Sequence, residues 1–330
     1  MESLFLPSNR IAVLPMKVSS LILILILGLI SFHAKAQPDT VRVGAYVISV
    51  HDINFHDKEY TARFWLWFVY SNPKFDFTQQ LDISNAKSVE QSFPIQDSIE
   101  GKAWIMMKMK AVMKEKWNVH DFPFDKQHLN VNIENSQYDT SSLIFKPDLK
   151  ASLFDPEEAI DGWEIENFKV YSKIKKYETG FGDSRPNKNS QGFSVFHIEM
   201  DLQRHAIGLF MKIFIGMYIS FLIAFLSFAP KPWETDPRFG LPVGGLFAAV
   251  GNKYIIDSLL PESSTFTLVD TLHTITFLGI LGMLVISAYC LRLHDQGKVE
   301  KCLSVNKIGF LTVLIFYVAA NIIFVTVAIL

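Results

Sequence analysis

The chain has 330 residues, 49% of them hydrophobic and only 19% charged, with a formal net charge of −2. A near-neutral balance gives no argument for nucleic acid, and the apolar excess must be localised rather than spread through a soluble core. The two cysteines, Cys290 and Cys302, sit in the last third, so the residues before them have no disulfide of their own.

Residues 1–36 read as an export signal. Met16-Lys17 is a short positive start, Leu21 to Phe32 is a dense apolar core, and Ala34-Lys35-Ala36 is an A-x-A cleavage site. The mature chain is then expected to begin at Gln37, with translation starting at Met1 or Met16. An uncleaved anchor is the alternative, but the run is short for one.

Residues 37–205 read as an antiparallel β-sandwich. Glu59 to Tyr70, "EYTARFWLWFVY", is β-rich and apolar on both faces, as a central strand is. Ile105, Met107, Met109, Ala111 and Met113 alternate with Lys108, Lys110 and Lys114. Leu129, Val131 and Ile133 alternate with Asn130, Asn132 and Glu134, and Phe196, Ile198, Met200 and Leu202 mark one more inward face. Turn-rich loops such as Gly180 to Gly192 separate these runs.

Residues 206–330 read as a transmembrane domain of four helices at about 207–228, 239–260, 267–291 and 308–330, each long enough to cross the hydrocarbon core. The first connection carries Lys231 and Arg238, and the third carries Arg292, Lys298, Lys301 and Lys307, while "PESST" between them has neither Lys nor Arg. The positive-inside rule puts the first and third connections in the cytoplasm and the sandwich outside, as the export signal requires.

The second span is odd. It carries Asn252, Lys253 and Asp257, which must face protein, water or the outer headgroups. Snorkelling with an i,i+4 Lys253–Asp257 pair is the plain account. Asp236, Gly240, Gly244, Phe247, Gly251, Tyr254 and Ser258 follow at steps of four and three and share one stripe. Three glycines on a stripe cost helix stability. Close packing of the GxxxG kind, through Gly240 and Gly244, is one reason for them, and a pore wall is another. The rival face is Leu246, Ala249, Lys253 and Asp257.

The corner "FPFDKQ", Phe122 to Gln127, followed by an alternating strand and by four C-terminal spans, resembles the pentameric ligand-gated ion channels (the Cys-loop receptor superfamily). "DGWEIENF", Asp161 to Phe168, and "LLPESSTFTLVD", Leu259 to Asp270, resemble the same family, as does the short loop before the fourth span. Glu115 and Leu129 stand where the family usually has its bracketing cysteines, so the resemblance is to the prokaryotic branch that lacks that disulfide. It implies a homopentamer in the cell (inner) membrane, with a periplasmic or extracellular ligand-binding domain. It also implies a small-molecule or ion ligand and a pore lined by the stripe, cation-permeable with Asp236 as the inner acidic ring.

In the same comparison, Trp65, Tyr138, Tyr177, Phe181 and Phe193 become ligand-binding candidates. An aromatic cage binds cations, and plain packing is the alternative for Trp65 and Tyr138. Asp57, Asp125 and Arg204, with Pro123 and Pro261, become the coupling between sandwich and spans; an ordinary fold-stabilising ion pair is compatible with that role. Asp236-Pro237 also reads as an ordinary helix start, N-cap followed by proline. A non-conducting membrane receptor or scaffold of this fold is the alternative function, because the second span carries Pro242 and four glycines.

An enzyme is not expected, since no H-E-x-x-H, G-x-S-x-G, C-x-x-C or P-loop pattern occurs. No cofactor and no metal are expected. His51-Asp52 and His56-Asp57 read as solvated pairs before they read as metal or proton sites, and Asp155, Glu157, Glu158 and Asp161 as a solvated acidic loop before a calcium site.

Overall fold

A computed structural model describes residues 37–157, 160–182 and 191–330. The expected export signal and Glu158 lie outside the described residues.

Among the described residues, ten strands run in chain order: β1 (Asp39–Asn54), β2 (Glu59–Tyr70), β3 (Leu81–Ile83), β4 (Ala86–Ile99), β5 (Lys102–Lys114), β6 (Lys126–Asn135), β7 (Leu143–Pro147), β8 (Leu153–Phe154), β9 (Trp163–Tyr177) and β10 (Gln191–Arg204). One sheet has the order β4-β5-β2-β1-β7, with β8 also on β1, and the other has the order β3-β6-β10-β9. β2 is central, as its two-faced apolar sequence requires. The expectation of a purely antiparallel sandwich is corrected at one edge. β7 and β8 pair with β1 in parallel, because the chain crosses back from the second sheet before it reaches them.

The alternating sets meet in one core. Val41, Val43 and Ala45 of β1, Phe64, Leu66 and Phe68 of β2, and Met107 and Met109 of β5 are buried with Leu129, Val131, Ile133, Phe196, Ile198 and Met200 from the other sheet. Phe68 stacks on Phe77 at 4.1 Å between ring centroids. Sheet-on-sheet burial of this kind is what alternating sequence produces.

Four long helices follow: α1 (Ala206–Phe225, continued by a 3-10 turn to Phe228), α2 (Thr235–Asp257), α3 (Leu268–Asp295) and α4 (Val299–Ile329). Each is long and apolar enough to cross a membrane. α2 begins four residues before the apolar run does, and α4 nine residues before its run, because helix formation continues into the polar flanks. α3 is closed at its start by a capping box, with Thr267 and Asp270 exchanging side-chain and backbone bonds. α2 starts at Thr235 with Glu234 as N-cap. Asp236 is therefore inside the first turn rather than the cap, where Pro237 costs no backbone bond.

Helices approach closely where a small residue removes bulk. A Cβ on Gly245 would stand 2.6 Å from the Ser220 carbonyl oxygen of α1. Small residues at such contacts are how helices pack in lipid, where no hydrophobic effect drives them together.

Candidate functional site

Three places gather the candidate residues. The first joins the sandwich to the helices. Arg204 ends β10 and Asp125 precedes β6, and the register of these strands places Gln203 opposite Lys126. The Arg204 Nε donates to Asp125 Oδ1 at 2.8 Å and Nη2 donates to Oδ2 at 3.0 Å. The side chains are 10% and 1% exposed. Gln127 Nε2 donates to the same carboxylate at 2.5 Å. The guanidinium also lies 3.9 Å from the Trp163 ring centroid, 4.8 Å from Phe55 and 5.1 Å from Phe122. A two-pronged charge-assisted pair in an aromatic setting is strong and geometrically fixed.

Asp57 does not join this cluster, contrary to expectation. It is exposed and accepts from Asn54 Nδ2 at 2.8 Å within its own turn, while Arg204 is filled by Asp125 and the rings. The turn is still tied to the helices: Lys58 Nζ donates to the Glu262 carbonyl at 3.1 Å. The corner makes two further ties. Phe124 meets Phe210 of α1 at 5.4 Å, and the Leu268 N–H of α3 donates to the His120 carbonyl at 2.8 Å. Pro123, after a cis bond, and Pro261 are both buried here. Phe55, Trp163 and Gln127 are the members that sequence reasoning missed. Gln127 was signalled by its i,i+2 spacing from Asp125 on an extended segment.

The second place is one face of α2. Asp236, Gly240, Gly244, Phe247, Gly251, Tyr254 and Ser258 are all exposed, with Phe247 at 72% and Tyr254 at 78%. A Cβ added at Gly240, Gly244 or Gly251 would meet nothing within 4 Å, so these glycines serve no packing inside the chain. Gly245 does that instead. The opposite side of α2 buries Arg238, Pro242, Gly245, Ala249 and Ile256 against neighbours. Of the rival face, Ala249 is fully buried and Leu246 half-buried. Lys253 turns sideways, bonding Asp257 at 2.7 Å and Asp270 of α3 at 2.8 Å. Snorkelling alone does not describe it, since the second carboxylate comes from the next helix.

The third place is a cleft of about 350 Å³ at the far end of β9 and β10. Tyr177, Phe181 and Phe193 meet edge to face there, with centroids 5.4, 5.7 and 6.5 Å apart. The Tyr177 hydroxyl donates to Glu134 Oε1 at 2.7 Å. Glu134 is buried and its Oε2 has no partner, as is true of Asn135 Nδ2 beside it. Burial, assisted by the Glu134 carboxylate, raises the Tyr177 phenol above its ordinary pKa despite the opposing pull of Lys175. Two candidates stay outside the cleft. Tyr138 packs edge-on against Phe75 at 4.9 Å and donates to the Lys74 carbonyl. Trp65 lies half-buried on the other sheet, with Lys108 Nζ 5.5 Å over its ring. Glu134 was missed because its alternation marks the solvent side of β6; the β9 tyrosine covers it.

Elsewhere, His51 and Asp52 form an exposed pair at 2.8 Å, and the Asp155 carboxylate accepts from the Glu157 backbone at 3.1 Å. Among the described residues, no group of three or more His, Cys, Asp and Glu is placed to hold a metal.

No family model matches the chain, and no curated protein matches it. The structure by itself defines a class: a β-sheet domain joined to four apolar helices of membrane-spanning length.

Proposed function

We propose that the chain is a subunit of a homopentameric ligand-gated ion channel of the Cys-loop receptor superfamily, prokaryotic branch, in the cell (inner) membrane with its β domain periplasmic. The observation that carries this is the α2 stripe. Seven residues spanning six turns face away from every other helix of the chain, and three are glycines with empty space before them. In lipid, a stripe bearing Asp236 and Ser258 is a poor surface; around a fivefold axis it becomes the wall of a water path. Phe247 supplies the narrow apolar ring that stops ions by excluding water, with Tyr254 above it. Asp236 supplies five carboxylates that concentrate cations at the inner mouth.

The ligand is a small organic cation held in the cleft of Tyr177, Phe181 and Phe193, with the buried Glu134 carboxylate beneath Tyr177 supplying the opposing charge. The signal passes through the Asp125–Arg204 pair and the Phe124, His120 and Lys58 ties to the helices. The role is binding and gating, without catalysis.

Purified protein in liposomes tests this by cation flux and by native mass. The expected result is a pentamer that passes cations on addition of an active ammonium compound. A pentamer that stays closed to ions under every ligand supports the non-conducting receptor, and another subunit number removes the fivefold pore. Cysteine scanning, after replacement of Cys290 and Cys302, fixes the register. Block by a water-soluble thiol reagent is expected at 247 and 251 and not at 246 and 253.

A further inference from the structure

His273 lies in the second turn of α3 and is fully buried. Both of its ring nitrogens face oxygen. Nδ1 is 2.8 Å from the Val269 carbonyl, and Nε2 is 3.1 Å from Asn252 Oδ1 of α2. Asn252 uses its amide nitrogen to donate to the Ile213 carbonyl of α1 at 3.1 Å. Gly216 makes that crossing possible, since a Cβ there would stand 3.0 Å from Asn252 Nδ2.

A carbonyl oxygen only accepts. Nδ1 therefore needs a proton to bond Val269, and Nε2 needs a second to bond Asn252. A neutral ring has one proton. Turning the amide over does not help, because Oδ1 then faces the Ile213 carbonyl. With both ring nitrogens facing these oxygens, a neutral ring leaves two acceptors in contact in either amide orientation, and the imidazolium leaves none.

The nearby carboxylates favour the same state, against burial and Lys253. Lys253 is bonded to both Asp257 and Asp270, one cation against two carboxylates. Of these three groups, two from α2 and one from α3, Lys253 opposes a charge on the His273 ring and the two carboxylates favour it. From α1 the ring meets the Ile213 side of the helix and the Phe214 ring at 6.0 Å, while Lys212 is exposed. α4 sends its Tyr317 hydroxyl to Thr276, one turn further along α3. The local surplus is thus one negative charge, which a protonated His273 cancels.

We propose that His273 is a proton-binding site whose imidazolium clamps α3 to α2 through Asn252, and α2 in turn to α1. Loss of the proton breaks the link to Asn252 and frees α2, the helix of the open stripe. The clamp is defined by hydrogen-bond stoichiometry and stands whether or not the chain conducts ions.

The test is nitrogen-15 NMR of the full chain labelled at histidine, in lipid nanodiscs, with the His273 signals assigned by their loss in His273→Gln. At about pH 5, below the ordinary imidazole value of about 6.5, both nitrogens are expected to be protonated. Asn252→Asp puts a carboxylate at Nε2 and is expected to raise the titration midpoint by about one pH unit or more; Asn252→Leu should lower it. A ring with a single protonated nitrogen at about pH 5 in the unaltered chain overturns the proposal, as does a midpoint unmoved by Asn252→Asp. The spectrum of the unaltered chain decides alone if the variants do not fold. Ion flux enters none of these readouts, so a failed channel assignment and a failed proton site are distinguishable.

Discussion

At the scale of single residues, the Asp125–Arg204 pair shows how burial sets the value of a charge. Its partners are almost withdrawn from water, and removing one strands the other. Arg204→Ala or Asp125→Ala is therefore expected to cost about 3–5 kcal/mol of stability, or to abolish assembly or gating. Lys110→Ala breaks only the exposed 3.4 Å pair with Glu90, worth about 0–1 kcal/mol. Thermal melts and dose responses of the three variants check this, and normal behaviour of both junction variants would remove the pair from the coupling. Glu134 has one oxygen committed to Tyr177 and one free. Glu134→Gln is expected to weaken an ammonium ligand about tenfold or more, since the opposing charge beneath the cleft is removed. Titration calorimetry reads this directly, and unchanged affinity would move the ligand elsewhere.

At the scale of the element, α2 has two kinds of glycine side by side. Gly244 faces open space, while Gly245 lies against the α1 backbone. Gly244→Ala should fold at least as well as the parent, because alanine gains about 1 kcal/mol of helix propensity there. Gly245→Ala forces α1 and α2 apart and should lower the melting temperature. Equal effects from both would mean that the stripe packs and does not line a lumen. The apolar ring makes a separate prediction. In the proposed channel, Phe247→Ala is expected to give cation leak without ligand, because the bulk assigned to the constriction is gone. Asp236→Asn is expected to lower cation conductance, most visibly at low salt, where the carboxylate ring of the proposed pentamer would be least screened. A tight Phe247→Ala pore would place the gate elsewhere.

At the scale of the whole molecule, the outer face of the second sheet ties its strands with titratable groups, so the protein should weaken in acid. His128 pairs with Asp201 across β6 and β10 at 2.5 Å. Hydrogen bonds from Asn167 and His128 hold Asp201 below the ordinary 3.8. Burial works against Glu199, yet bonds from Lys169 and Tyr171 keep it below 4.5. Carboxylates of lowered pKa add stability above their ordinary range and lose it as pH falls through the folded value. Burial also lowers His197 from 6.5. A half-buried imidazole of lowered pKa likewise loses stability as pH falls below 6.5, because the unfolded chain takes up the proton first. Melting temperature is expected to decline from below about pH 6.5, with the earliest part of the decline absent in His197→Gln. An unaltered profile in that variant would assign the early loss to another group.

Much of this molecule was determined by its sequence alone. Period-two alternation in β5, β6 and β10 marks the core of the sandwich because side chains on a strand must point to opposite faces. Apolar runs of membrane length mark the helices because a backbone in lipid must satisfy its own hydrogen bonds. Steps of three and four mark a stripe on α2. What the sequence could not decide was which way that stripe points, since helical spacing defines a face without naming its neighbour. The fit of Gly245 on α1 and the reach of Lys253 to Asp270 settle it within the chain. Tertiary contact also placed Glu134 under Tyr177, left Asp57 outside the Arg204 cluster, and set Asn252 between His273 and Ile213. These pairings join residues far apart in the chain, and their energy lies in burial and in the exact count of donors and acceptors, which exist only once the elements are packed.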